Sequence, residues 1–564
     1  MPQRVFLGWD RPFLGLAVEW LLARRDQLPG MLVLVPTAES ARRLREALAE
    51  AAGALLSPQF ATPGSLLKNA SPFGEVAPDW AEQVAWVEVL EGVTDWSAYV
   101  ELFPEAPAAD GEWAAGLAKE LVHLRHTLQE NALTLTTAAR CLRDSEENDR
   151  WNALARLEGR VERKLDSWGF RSRSRLLASG FFLPGAISNI VVAGVTEMPP
   201  LVERSLLAWA KDAAAPPCGE SSLIGSASHR APLQRLTVLL GAPEDEADTF
   251  SASGRPLAAW CERPLPWPQG VAGSVRVVAD PRQQAAEALR VIGGEGAASN
   301  EVAVGAADAE VGEELARALT RGGWVAFHPA ALQPTAGLAR WFKVWGEWLA
   351  EPTLAVMAEL LTLPETGILT GGRRAQKARC LSEMRERWMV MRSEDLQRRI
   401  DAEVFRSEPA KAAAMEVLVA AVTLEKRRAR FVRDDFTGAL AEMLQVLGGC
   451  GPASAEMAAS LSEWLAQAAP VIGRVQRGAR FWLDLMLGEV VAAAPLPPAG
   501  RVIDVHGWLD LYYEPGRHLV LCGMNEGHVP ARSGGDPWLG ETARERLGLI
   551  TDAMRAARDA FLFK

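Results

Sequence analysis

Cysteine is scarce. Six among 564 residues, at positions 141, 218, 261, 380, 450 and 522, are scattered and form no C-x-x-C pair. That spacing excludes a disulfide framework and a cysteine-based zinc site, and it suits thiols kept reduced in the cytoplasm. Histidine is nearly as sparse, with seven. His123 and His126 stand one helical turn apart without further ligands nearby, so they read as a surface pair rather than a metal site. No apolar run is long enough to read as a membrane span or a signal peptide, so the expected localisation is cytoplasmic, with no membrane partner. An excess of positive charge is also missing. The net charge is −11, which argues against indiscriminate attraction to DNA and confines any nucleic-acid site to a local basic lining.

What is present describes a globular chain of several domains. Apolar residues make up 49% and charged ones 23%, a composition that folds rather than staying disordered. The length exceeds what one core can hold and suggests three or four domains of ordinary size. No fixed-period repeat is visible. Short apolar runs bounded by turn residues predict strands at residues 4–7, 31–35, 188–195, 275–278, 301–305, 324–327 and 518–522, most of them followed by a helical pattern. Two long stretches, 76–185 and 337–495, carry helical periodicity and little strand signal. The Pro-rich stretch from residue 263 to 270 reads as a linker.

Three loops at strand ends draw attention, because an open α/β sheet binds its ligand beyond the carboxyl ends of its strands. The first is Gly8-Trp9-Asp10-Arg11-Pro12-Phe13-Leu14-Gly15. A phosphate-binding loop needs small residues, a Lys and a Ser or Thr, yet its spacing counted from Gly8 puts Phe13, Leu14 and Gly15 at those positions. The second is Pro36-Thr37, followed by the basic helical run Arg42-Arg43. Two readings stand for Thr37, a phosphate contact at a helix N-terminus and an ordinary N-cap. The third is the run His518-Leu519-Val520-Leu521-Cys522-Gly523-Met524-Asn525-Glu526-Gly527-His528-Val529-Pro530, a buried strand entering a tight turn. It continues through Asp536-Pro537-Trp538-Leu539 and Arg546-Leu547-Gly548-Leu549 to Arg558-Asp559-Ala560-Phe561.

This succession of motifs resembles the AddB family, the superfamily 1 helicase-like subunits of bacterial AddAB-type helicase-nucleases. The likeness covers most of the chain and is strongest over 31–67, 188–210 and 501–561. It implies an α/β fold of two RecA-like parallel-sheet domains with two mainly helical inserts. In that scheme 1–75 and 186–268 form domain 1A, 76–185 insert 1B, 269–336 and 496–564 domain 2A, and 337–495 insert 2B.

The resemblance also implies a lost nucleotide site. Gly8, Phe13, Leu14 and Gly15 replace the phosphate loop. Where active relatives end a strand in an Asp-Glu pair that holds Mg and orients water, Ala193 and Gly194 follow, with Glu197 as the only nearby carboxylate. No ATPase activity and no cofactor are therefore expected in this chain. Gly507-Trp508-Leu509-Asp510 stands where active relatives carry Lys-Gly-Leu-Glu. The implied function is strand binding in double-strand-break end processing and recombinational repair, beside an AddA-like motor subunit. Single-stranded DNA would be contacted by Thr37, Arg42, Thr335, Asn525 and His528 through phosphates and stacking; for Thr335 a helix cap is an equal reading. Arg532 is basic and near them. The basic runs at 373–377, 397–399, 426–430 and 474–480 read as solvated helix faces or a DNA lining.

Metal-dependent nuclease chemistry needs clustered carboxylates, commonly with a Lys, and no such constellation is visible. The chain stops short of the family's arginine motif and nuclease domain, so it reads as a fragment. Two other functions stay open, an active ATP-dependent helicase and a protein scaffold without DNA affinity.

Overall fold

The structure, a computed structural model, describes residues 2–69, 76–108, 112–179, 187–212, 235–264, 274–295, 301–328, 337–371, 373–388, 392, 394–403, 407–433, 435–489, 502–532 and 536–564. Thr335 and most of the Pro-rich stretch lie outside them. The chain divides into two compact units, one made of residues 1–77, 82–331 and 497–564, the other of 78–81 and 332–496. Among the described residues no helix is long and apolar enough to cross a membrane.

The larger unit holds two parallel sheets. Strands β1 (Gln3–Phe6), β2 (Met31–Leu34), β3 (Gln59–Ala61), β4 (Asn189–Ala193) and β5 (Arg235–Leu240) form the first, in the order β1-β5-β4-β2-β3. Its register aligns Leu32 with Ile190 and Val191 with Thr237. Parallel strands covered on both faces read as unbroken apolar runs, and the side chains of β2 and β4 divide by alternation. Leu32, Leu34, Ile190 and Val192 pack with Val202, Leu206 and Phe561. Val33, Val191 and Ala193 pack with Leu21, Leu44 and Leu48. The first face is thus covered by the helices Pro200–Asp212 and Asp552–Phe563, the second by α1 (Phe13–Leu22) and α2 (Ala38–Ala52). Each fully buried Leu or Val contributes about 2 kcal/mol relative to exposure, so these faces fix the register.

The second sheet comprises β6 (Val302–Ala306), β7 (Ala326–Phe327), β8 (Ile503–Gly507) and β9 (His518–Cys522) in the order β7-β8-β6-β9. One face packs on the helices Pro281–Glu295 and Ala309–Arg321 through Ala285, Ile292, Val311 and Leu315. On β6, a Cβ at Gly305 would overlap Leu511 of the short 3-10 helix Trp508–Tyr513. The expected strand at 275–278 is absent. Those residues pair with no strand among the described residues, and Val277 is 95% exposed. Alternating β-branched residues supply propensity, but a strand also needs a neighbour's backbone.

Between β3 and β4 the chain forms helices, including Glu112–Gln129, Leu135–Cys141 and Asn148–Trp168. At their centre Arg125 is fully buried, 3.2 Å from Glu82, 3.5 Å from Glu158 and 2.5 Å from Glu162. Glu158 also accepts hydrogen bonds from the N–H groups of Leu135 and Thr136 at 3.0 and 2.9 Å, satisfying an otherwise orphaned helix start.

The smaller unit is helical. Its core includes Trp341 stacked on Trp345 with ring centroids 5.2 Å apart, and Phe431 edge-on to Trp345 at 5.6 Å. The Trp341 indole N–H donates to Thr366 at 2.9 Å, which meets the requirement that a buried indole find an acceptor.

Candidate functional site

The first sheet's carboxyl end is the natural ligand mouth of such a fold, and this sequence fills it with its own side chains. After β1 the Leu7 N–H donates to the Leu240 carbonyl at 2.8 Å and the Gly8 N–H to the Ala242 carbonyl at 3.0 Å. Those amides bond to the end of β5 and the residues after it, not toward a phosphate. The Trp9 indole N–H then donates to the Gly241 carbonyl at 2.7 Å. Gly8 has φ +79°, a left-handed conformation that glycine adopts without a Cβ penalty.

Phe13 opens α1 and is buried, and Leu14 is buried in the helix–sheet core. Neither side chain can neutralise phosphate. Gly15 is exposed and offers no hydroxyl. Glu197 lies 3.0 Å from the Arg558 guanidinium, which also holds Asp559 at 2.7 Å.

The closing elements are Tyr512 and Tyr513, carried by the 3-10 helix Trp508–Tyr513. Tyr512 stacks on Phe13 with centroids 4.6 Å apart and an interplanar angle of 23°, while Tyr513 meets Phe13 edge-on at 5.3 Å. The Tyr513 hydroxyl donates to the Ala193 carbonyl at 2.6 Å. Burial pushes both phenols up, so they stay protonated and can donate. Two glycines make the room. A Cβ at Gly194, whose φ is +56°, would stand 2.7 Å from the Tyr512 ring and 2.9 Å from Phe13, and one at Gly241 would overlap the Tyr512 hydroxyl.

Beside this aromatic plug lies a polar network between the two sheets. Thr37 caps α2 by accepting the Ser40 N–H at 3.0 Å, and its hydroxyl donates to the Asp510 carboxylate. Burial pushes the Asp510 carboxyl up, opposed by the hydrogen bond from Thr37. Arg42 binds Glu39, Glu46 at 2.8 Å and Asp504 at 2.8 Å. Arg43 binds Asp504 at 2.7 Å and Glu514 at 2.6 Å. His506 stands 3.1 Å from Glu514. Glu39, Asp504 and His506 could each direct a ligand atom to one point, their atoms lying within 4.8 Å of one another. Two guanidiniums already share these carboxylates, however, so the positive charge a cation would bring is in place.

Of the residues singled out for DNA, Thr37 and Arg42 are thus engaged inside the protein. Asn525 and His528 lie exposed on the loop after β9. The Asn525 carbonyl accepts the His528 N–H at 3.1 Å, and the His528 imidazole is 3.8 Å from Asp308. Arg532 is also exposed. The residues that sequence reading missed are Tyr512, Tyr513, Arg43, Asp504, His506 and Glu514. The available signal was the pair Tyr512-Tyr513, one residue beyond Gly507-Trp508-Leu509-Asp510. No protein-family model matches the chain, and a search of curated proteins finds no match.

Proposed function

We propose that this chain is a catalytically silent, helicase-like subunit that holds single-stranded DNA while a separate AddA-like motor hydrolyses ATP, in the processing of broken DNA ends. The observation that carries the reading is the aromatic plug. Phe13 and Tyr512 occupy the mouth where a nucleotide's phosphates would enter, and the backbone amides of Leu7 and Gly8 are bonded to β5 and its exit. The strand order gives further support, since β5 is inserted between β1 and β4 as in RecA-like sheets. On this reading the sheets are the 1A and 2A domains, and the exposed loop Asn525–His528 with Arg532 is the part most open to a DNA backbone.

A second reading is favoured by a specific observation. Thr37 and Arg42 make their bonds within the protein, which leaves fewer free donors for phosphate and suits a scaffold that binds a partner protein only. Fluorescence anisotropy of a labelled single-stranded oligonucleotide across a salt series separates the two. Binding that weakens as salt rises, through counterion release, and ignores Mg-ATP is expected. No binding at low salt would leave the scaffold, and ATP turnover by the purified chain would overturn both.

A further inference from the structure

We propose that Tyr512 acts as a built-in key that holds the two α/β lobes, the β1–β5 sheet and the β6–β9 sheet with their helices, in one closed arrangement without any nucleotide. This deepens the reading above and rests on its identification of the mouth as a former nucleotide site. In a two-lobed protein whose cleft closes on a ligand, the ligand shifts a hinge equilibrium by its differential contacts with the closed state. Here those contacts come from the chain itself. The Tyr512 ring leaves the second lobe, stacks on Phe13 of the first and fits against Gly194 and Gly241. Beside it, the Tyr513 hydroxyl donates to the Ala193 carbonyl.

A charged clamp adds to the key. Arg42 and Arg43 of α2 reach Asp504 of β8 at 2.8 and 2.7 Å, Arg43 reaches Glu514 at 2.6 Å, and Thr37 bonds Asp510. Asp504 and Glu514 are both more than nine-tenths buried at the side chain. A tethered ring cannot diffuse away, so closure does not depend on ligand concentration. Two features decide that Tyr512 is more than filler. The facing positions on the first lobe are glycines that no larger residue could replace without moving the ring, and the polar clamp joins the same two lobes through separate residues.

The test is an interlobe distance measured by pulsed electron resonance on the full chain. Spin labels go on Glu50→Cys of α2 and Arg321→Cys of the helix Ala309–Arg321, both exposed, with the native cysteines replaced. A single narrow distribution that Mg-ATP leaves unchanged is expected. A broad distribution, or one that Mg-ATP narrows, overturns the proposal. Tyr512→Ala is expected to broaden the distribution about two-fold or more, and a folded Tyr512→Ala chain with the original width also overturns it. Should that variant fail to fold, Asp504→Asn loosens the clamp alone, and a smaller broadening is expected; an unchanged width counts against the proposal. Oligonucleotide binding by the same samples separates the claims. A narrow distance without DNA binding removes only the strand-holding function, and a broad distance with DNA binding removes only the key.

Discussion

Gly241 shows how much a single residue position decides here. A Cβ at this place would overlap the Tyr512 hydroxyl and stand 3.0 Å from the Phe13 ring. Overpacking of this kind costs about 1–3 kcal/mol, so Gly241→Ala should lower the unfolding free energy from urea titration by that amount, seen as a lower midpoint at unchanged slope. In Tyr512→Ala the clash is gone, and the loss in the double variant should be smaller than the sum of the single losses. Additive losses would mean that the two positions do not meet. Arg125 makes the opposite case. It is held by the buried Glu82 and Glu158 and the part-buried Glu162, and Arg125→Met would take the cation away from two buried carboxylates. Removing one partner of such a cluster costs about 3–5 kcal/mol, which thermal denaturation would read as a large fall in midpoint; a change below about 1 kcal/mol would mean that the carboxylates are already solvated.

At the scale of elements, what was legible in the sequence follows from locality. Met31–Leu34 and Ala38–Ala52 could be read because an apolar run, a capping Thr37 and a stripe at Ala41, Leu44 and Leu48 are all local signals. The plug could not. Tyr512 acquires its role from Phe13, Gly194 and Gly241, which lie hundreds of residues away, and the same dipeptide on another surface would mean nothing. The failed strand at 275–278 has the same origin, since pairing belongs to the fold and not to the run. The end of the helix Glu112–Gln129 supplies a further case. Glu130 is pushed up to about 7, first by burial and then by the charge of Glu197, with Arg544 and Arg555 pulling it down. Its folded value lies above the ordinary carboxylate value, so the folded state binds the proton more tightly. Stability should therefore fall as pH rises from about 4.5 through 7, by up to about 3 kcal/mol. Glu130→Gln should match the wild type near about pH 4.5 and exceed it near about pH 8. Equal pH slopes for the two chains would show that Glu130 ionises without cost.

For the whole molecule, the division into two compact units sets an expectation about cooperativity. The smaller unit is nearly one continuous stretch, residues 332–496, whereas the larger closes only when three separated stretches meet. Each has its own buried core, Trp341, Trp345 and Phe431 in one and the two sheet layers in the other. Units with separate cores need not unfold together. Calorimetry of the full chain should then show more than one transition. Trp345→Ala, at a position fully buried in the smaller unit, removes a large aromatic and should cost about 3–5 kcal/mol. That loss should lower one transition and leave the other in place. The second transition, carried by the lobes, should instead respond to Tyr512→Ala. A single transition that moves as a whole in both variants would mean that the units are energetically one body, and a perturbation in the helical unit would then reach the cleft. Independent transitions would confine the consequences of each substitution to its own unit, and the interlobe distance should be the same with and without Trp345→Ala.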